Sequence, residues 1–257
     1  MSMVLPSMLW DNIARDAGVT INYSGTTTAG FEPANTKDWR DYTLFKAASG
    51  TTTLDFSMVQ DRPLDSASIY LAADVIGSVQ IQAETTTNNF VTVATFTNPA
   101  GIVHFAKFAE VTIPLGNRLR VRFVSLSQAT DVRQIVAGVS LVPPIGQRGG
   151  LTPPTLAGGV QRKNVISING SVLGTTLRRT DKKTTLMLDN LPEDFVRGDW
   201  ELFATHCERY PFVYSWDYAS HPSEVTMATV DGSVPSASNM DLAEYMQVEW
   251  TLRNLVN

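Results

Sequence analysis

At 257 residues, 43% of them hydrophobic, the chain is long enough to bury one large or two ordinary cores, and its composition is that of a globular protein. With 20 basic against 25 acidic residues the net charge is −5, which gives no sequence-independent attraction to nucleic acid. Cys207 is the sole cysteine, so no internal disulfide forms, and a reducing cytoplasm is the expected place of synthesis.

The opening Met1-Ser-Met-Val-Leu-Pro6 lacks the basic start and long apolar core of a secretory signal. The longest apolar stretch, Ile135 to Ile145, is interrupted by Pro143 and Pro144 and is too short to cross a bilayer. Neither export nor membrane insertion is expected. Residues 1 to 60 read as short apolar segments between turn-formers: Leu9-Trp10 and Ile13, Val19 to Tyr23, then Thr26-Thr-Thr-Ala-Gly30. Trp39, Tyr42 and Phe45 fall three apart, a spacing that suits one 3₁₀ or α turn, or a loop clamping aromatics onto a core. Core anchoring is the expected role, and Trp39 and Tyr42 are the candidates for stacking on a carbohydrate.

From Thr52 the pattern changes to short runs of period two, each bounded by Gly, Pro, Asn or Asp. The runs are Thr53–Val59, Ser68–Ala72, Ser78–Gln82, Phe90–Phe96, Ala109–Ile113, Arg118–Val124 and Ile135–Val142. They predict seven or eight strands of an antiparallel sandwich with no helix. The Trp39-Arg-Asp-Tyr42 segment, Val79-Gln-Ile-Gln82, Asn117-Arg-Leu-Arg-Val-Arg-Phe123 and the closing Leu141-Val142 resemble the galactose-binding-like, or discoidin-like, jelly roll over residues 30 to 145. Domains of that kind are often non-catalytic modules, and the resemblance implies a host or virion-surface glycan as a partner. Asp74 and Glu84 lack the clustered oxygen ligands of a calcium site, so no metal is inferred.

Two Pro-Pro pairs and five glycines between Pro143 and Gly159 predict a semi-stiff linker. The expected division is a sandwich over 1–142, a linker over 143–159 and a second domain over 160–257, the two domains folding separately. The linker is also a candidate arm for pairing with a neighbouring subunit. In the second domain Asn169-Gly170 predicts a tight hairpin, and Thr175–Arg179 with Thr184–Leu188 a further strand pair around Asp181-Lys-Lys183. Val196, Trp200, Phe203, Cys207 and Tyr210 share one face of a helix, for which Asn190 is the expected cap and Pro211 the stop. Pro211-Phe-Val-Tyr-Ser-Trp216, Glu224–Val230 and Tyr245–Leu252 complete an α+β domain with a mainly antiparallel sheet.

The order Arg178-Arg-Thr-Asp-Lys-Lys-Thr-Thr-Leu186, helix, Tyr210–Trp216, Pro222-Ser-Glu-Val-Thr226 and Met246-Gln-Val-Glu-Trp-Thr-Leu252 resembles the tail-tip, distal tail protein family of long-tailed bacteriophages over residues 160 to 257. That resemblance implies a structural virion protein made in the host bacterial cytoplasm. It further implies a ring of itself, hexameric in the family, between tube and hub proteins. In the family the appended β-module follows the ring domain, whereas here it precedes it. Arg178, Arg179, Lys182 and Lys183 are the candidate subunit contacts, facing acidic neighbours.

Few parts of a catalytic constellation are visible. His206 and Cys207 are adjacent, but helix neighbours diverge by about 100° and Cys207 belongs to the apolar face. No phosphate-binding glycine loop, His-Glu-x-x-His or Gly-x-Ser-x-Gly motif occurs, and no cofactor is implied. A polymer-degrading glycosidase, whose two carboxylates can be remote in sequence, stands as the second alternative to the structural reading, after a carbohydrate-binding module.

Overall fold

The computed structural model describes residues 5–39, 43–146, 153, 160–169, 171–179, 182–233, 237–239 and 245–254. The first half contains β1 (Ser7–Leu9), β2 (Thr20–Tyr23), β3 (Phe45–Ala47), β4 (Gly50–Ser57), β5 (Arg62–Leu71) and β6 (Ser78–Thr86). It continues with β7 (Asn89–Thr97), β8 (Val103–Ile113), β9 (Arg118–Leu126), β10 (Thr130–Gly138) and β11 (Ser140–Leu141). The second half holds β12 (Val160–Ile166), β13 (Val172–Arg179), β14 (Lys182–Pro192), β15 (Phe212–Ser215), β16 (Val225–Val230), β17 (Ala237–Asn239) and β18 (Tyr245–Asn254). Between β14 and β15 a helix, α1, spans residues 193–207: Glu193–Phe195 and Glu201–Cys207 are α-helical, and Val196–Trp200 between them is π-helical.

Among the described residues the architecture is mainly β, with antiparallel sheets and one helix longer than a 3₁₀ turn, α1; short 3₁₀ turns lie at Ile13–Arg15 and Pro33–Lys37. A five-stranded sheet ordered β2-β4-β9-β6-β7 faces a four-stranded sheet ordered β3-β10-β5-β8. Alternation sends Leu54, Phe56, Val79, Ile81, Leu119, Val121 and Phe123 inward to meet Phe45, Leu64, Ile69 and Ile135 in one core. This is the expected jelly-roll sandwich.

The second sheet runs β11-β1-β15-β16-β18-β14, with β17 also on β18. Its two faces have different partners. Met8, Phe212, Tyr214, Ala228, Leu188, Trp250 and Leu252 lie against Val196, Trp200, Phe203 and Cys207 of α1. Leu9, Val213, Val225 and Met227 turn the other way and pack with Val103, Phe105 and Val136 from the outer side of the four-stranded sheet. The molecule is therefore layered: five-stranded sheet, four-stranded sheet, second sheet, helix. Strand β15 is buried at all four positions because it is covered on both faces, whereas β14 and β18 alternate because only the helix side is covered.

This differs from the division at residue 142. Strands β1 and β11 belong to the second sheet: Met8 pairs with Leu141 and Tyr214, and Leu9 with Ser140 and Val213. The sandwich is thus an insertion between two strands that close its base. Entry and exit cross so closely that a Cβ on Gly138 would stand 2.3 Å from the Asp11 carbonyl oxygen. The shared core also replaces the expected independence of the two halves. Burying each such side chain contributes about 1.5–3 kcal/mol relative to exposure, so the joint outweighs a tether.

Three local expectations change. Asn190 does not cap α1: it takes φ 58° inside an irregular part of β14, and Pro192 stands at the helix start with no side-chain cap bond. Tyr210 falls beyond the helix and is 39% exposed, while the other four residues of the predicted face are buried. Thr175–Arg179 does not pair with Thr184–Leu188; β13 pairs with β12, and β14 with β18. Most of the linker and Tyr42 lie outside the described residues.

Trp200, 2% exposed and 4.8 Å from the Trp250 ring, is the centre of the helix-side core. Trp200→Ala is expected to cost about 3–5 kcal/mol in urea unfolding; a loss under about 1 kcal/mol would contradict its packing role.

Candidate functional site

The layering leaves uncovered the outer face of the five-stranded sheet, on which Arg118, Arg120 and Arg122 are half-buried and Asp55, Gln82 and Glu84 are buried among their neighbours. Period two puts Arg118, Arg120 and Arg122 of β9 on that face, because Leu119, Val121 and Phe123 fill the core. Register then aligns polar rows across the sheet. Asn22, Asp55, Arg120, Gln82 and Thr92 form one row, and Thr53, Arg122, Gln80 and Thr95 the next.

The rows are organised by charge-assisted bonds. Arg120 donates from Nε and Nη2 to the two Asp55 carboxylate oxygens at 2.7 and 2.8 Å, a bidentate pair. Arg118 donates from Nε and Nη2 to Glu84 at 2.7 and 3.0 Å, and from Nη2 to Asn88 Oδ1 at 3.1 Å. The Glu84 side chain is 2% exposed, and the backbone N–H of Asn88 also donates to it. Those Arg118 bonds hold the Glu84 carboxyl below its usual range. Phe90 lies beside both guanidinium groups, 3.7 Å from Arg120 Cζ to the ring centroid and 4.9 Å from Arg118 Cζ. Gln82 Nε2 donates to Thr92 Oγ1 at 3.0 Å.

The result is a pre-ordered surface of planar forks, hydroxyls and one aromatic ring. Arg120 keeps Nη1 free of protein acceptors among the described residues, and Thr53, Thr95 and Arg122 keep their side-chain polar groups. A polyhydroxylated ligand needs matched donors and acceptors when it leaves water, since an unmade buried hydrogen bond costs about 1–3 kcal/mol. This face supplies both kinds.

The residues singled out from the sequence lie elsewhere. Trp39 adopts φ 61° and is 9% exposed, with Arg15 over its ring and the His206 ring at 6.0 Å. Its surface is spent on the joint between the layers and is not free for a sugar. Lys183 is engaged within the chain by Asp231 at 2.5 Å, and Lys182 is half-buried. The side chains of Arg178 and Arg179 lie outside the described residues. His206 donates from Nε2 to the Pro211 carbonyl oxygen, 3.0 Å away, in an aromatic cluster with Trp10 and Tyr210. Cys207 faces the helix-side core, where burial pushes its thiol up and disfavours the nucleophilic thiolate.

A cavity of about 560 Å³ lies where the chain enters and leaves the sandwich, lined in part by Trp10, Asp11, Arg62, Lys107, Asp199 and Leu202. Four of its charged groups are paired, Arg62 with Asp11 at 2.6 Å and Lys107 with Asp65 at 2.9 Å, and Lys107 also donates to Ser140 at 2.8 Å. Burial holds the Asp11 carboxyl above its usual range against Arg62. These pairs fasten the seam between layers.

No family model matches the chain, and no curated protein matches it. Solved structures do. A GH29 fucosidase from Ruminococcus gnavus is 14% identical with a TM-score of 0.46, over 52% of this chain and 28% of that one. The chain thus spans little more than a quarter of that enzyme. Chitosan-binding module 1 of a chitosanase/glucanase from Paenibacillus sp. IK-5 is 19% identical with a TM-score of 0.43, over 50% of this chain and 98% of the module. A pectin-binding carbohydrate-binding module is 14% identical with a TM-score of 0.40, over 47% of this chain and 90% of that one.

The depressed Glu84 carboxyl fixes a direction for pH. Its stabilising effect is complete above the ordinary value of 4.5 and is lost as pH falls through the lower folded value. Glu84→Gln is therefore expected to flatten the decline of melting temperature below about pH 4.5; an unchanged profile would show that the pair does not link to folding.

Proposed function

We propose that this chain is a non-catalytic glycan-binding protein whose ligand lies across the open face of the five-stranded sheet. The observation that carries this reading is the pair of register-aligned rows containing Asp55, Arg120, Gln82, Arg122 and Gln80. Stacked against the second sheet, the sandwich has its other face committed to packing, so ligand contact falls to this one. The rows are held by the protein before any ligand arrives, which lowers the ordering cost of binding. Screening the protein on a glycan array and measuring hits by calorimetry tests it. Gln82→Ala together with Arg120→Ala is expected to weaken binding at least tenfold, while Trp39 substitutions act through stability. Undiminished binding by the double variant would remove the sheet face as the site.

A second reading concerns assembly and is compatible with the first: a structural subunit of a bacteriophage tail tip, built into a ring with itself and joined to tube and hub proteins. What supports it, besides the sequence resemblance, is the hairpin of β12 and β13. Among the described residues these strands pair only with each other, and Val165, Ile166 and Leu173 on them, with Ile168 in the turn, are half or more exposed. A free two-stranded ribbon is marginal in water, and apolar groups concentrated on it mark a contact surface. The segment 160–183 also carries six basic residues and one acid, leaving the rest of a −5 chain at −10. Light scattering of the purified protein is expected to show an oligomer that Ile166→Ser with Ile168→Ser and Leu173→Ser reduces to a monomer. A wild-type monomer at high concentration, with no rings by negative stain, would count against self-assembly.

A further inference from the structure

The open sheet face holds three cations and two anions in a small area. Arg120 is neutralised by Asp55 and Arg118 by Glu84. Arg122 is different. Its cross-strand neighbours are Thr53 and Gln80, and Thr95 continues the row, so its own row contains no carboxylate. Among the described residues its guanidinium has no hydrogen-bond or ion-pair partner. Around it the outer face carries short hydroxylated and amide side chains, with Ser78 and Thr97 in the following row beside Val124. A planar five-donor fork is thus half-buried in a neutral, hydrogen-bonding surface, with one positive charge left over.

We propose that Arg122 is the anion-recognising residue of this face and that its ligand is an acidic glycan, a sugar bearing a carboxylate or phosphate. The inference rests on the glycan-binding reading and adds the charge class of the ligand. The acidic substituent meets the Arg122 fork, while ring hydroxyls meet Gln80, Thr53, Thr95 and the Arg120–Asp55 pair. Neutral glycans make the second set of contacts alone. The selectivity comes from one uncompensated guanidinium whose two fellow arginines are already engaged.

The test uses the full chain and paired probes. Oligomers of polygalacturonate, alginate and hyaluronan are each compared with their carboxyl-reduced forms, and galactose 6-phosphate with galactose. The expected result is tighter binding of acidic members, about ten- to a hundredfold, the range of one charge-assisted contact. This preference should shrink as salt rises from 20 to about 500 mM, because the site is open to solvent. Arg122→Gln should abolish the preference yet leave neutral binding and melting temperature within error, since the guanidinium supports no structure. Arg122→Lys should retain part of it. A carboxylate-only or phosphate-only preference identifies the source of the anion and supports the proposal. Equal binding of acidic and neutral partners, weakened together by Gln82→Ala, would overturn the acidic ligand while leaving the glycan reading standing. No binding of any probe would overturn both.

Discussion

The structure depends on a strand of three residues. Strand β1 sits between β11 and β15, so the chain contributes Ser7–Leu9 to the second sheet before it builds the sandwich, and returns to the same sheet directly afterwards. Met8 then serves the helix-side core and Leu9 the core shared with the sandwich, because adjacent strand residues point to opposite faces. Loss of that pairing would detach the base of the insertion from both cores together.

The same clamp determines which surfaces are available. A sandwich attached at one point by a flexible passage would expose both sheets. Here the four-stranded sheet is pressed onto β1, β15 and β16 through Val103, Phe105 and Val136, and the five-stranded sheet alone looks outward. Ionic rows on that sheet are affordable in free energy because they are partly solvated and mutually paired; the equivalent charges in the buried layer would carry a desolvation penalty of several kcal/mol each. Fold and site are linked by this asymmetry.

The β12–β13 hairpin presents apolar side chains that are half or more exposed. The polar sheet face and the apolar hairpin are two surfaces of opposite chemistry. Polar rows suit a hydrated, exchangeable ligand, whereas apolar side chains suit a lasting protein contact. The glycan-binding and assembly proposals rest on this difference in chemistry.

The sequence by itself determined the local structure where one side of an element is buried, as in the period-two strands of the sandwich and the α1 face of Val196, Trp200, Phe203 and Cys207, and it also signalled the pairing of β12 with β13. Arg118, Arg120, Arg122, Gln80 and Gln82 were visible as a strand rhythm, but nothing in one strand says which outer face remains open. Only tertiary structure decided that, since it follows from contacts between residues more than a hundred positions apart, such as Met8 with Tyr214. It also gave the expected core anchoring of Trp39 its place, the joint between layers, and assigned Asn190 to an irregular strand in place of a helix cap. Burial is a property of the assembled layers, and a local pattern records it only when a residue's covering partners are implied by its own element.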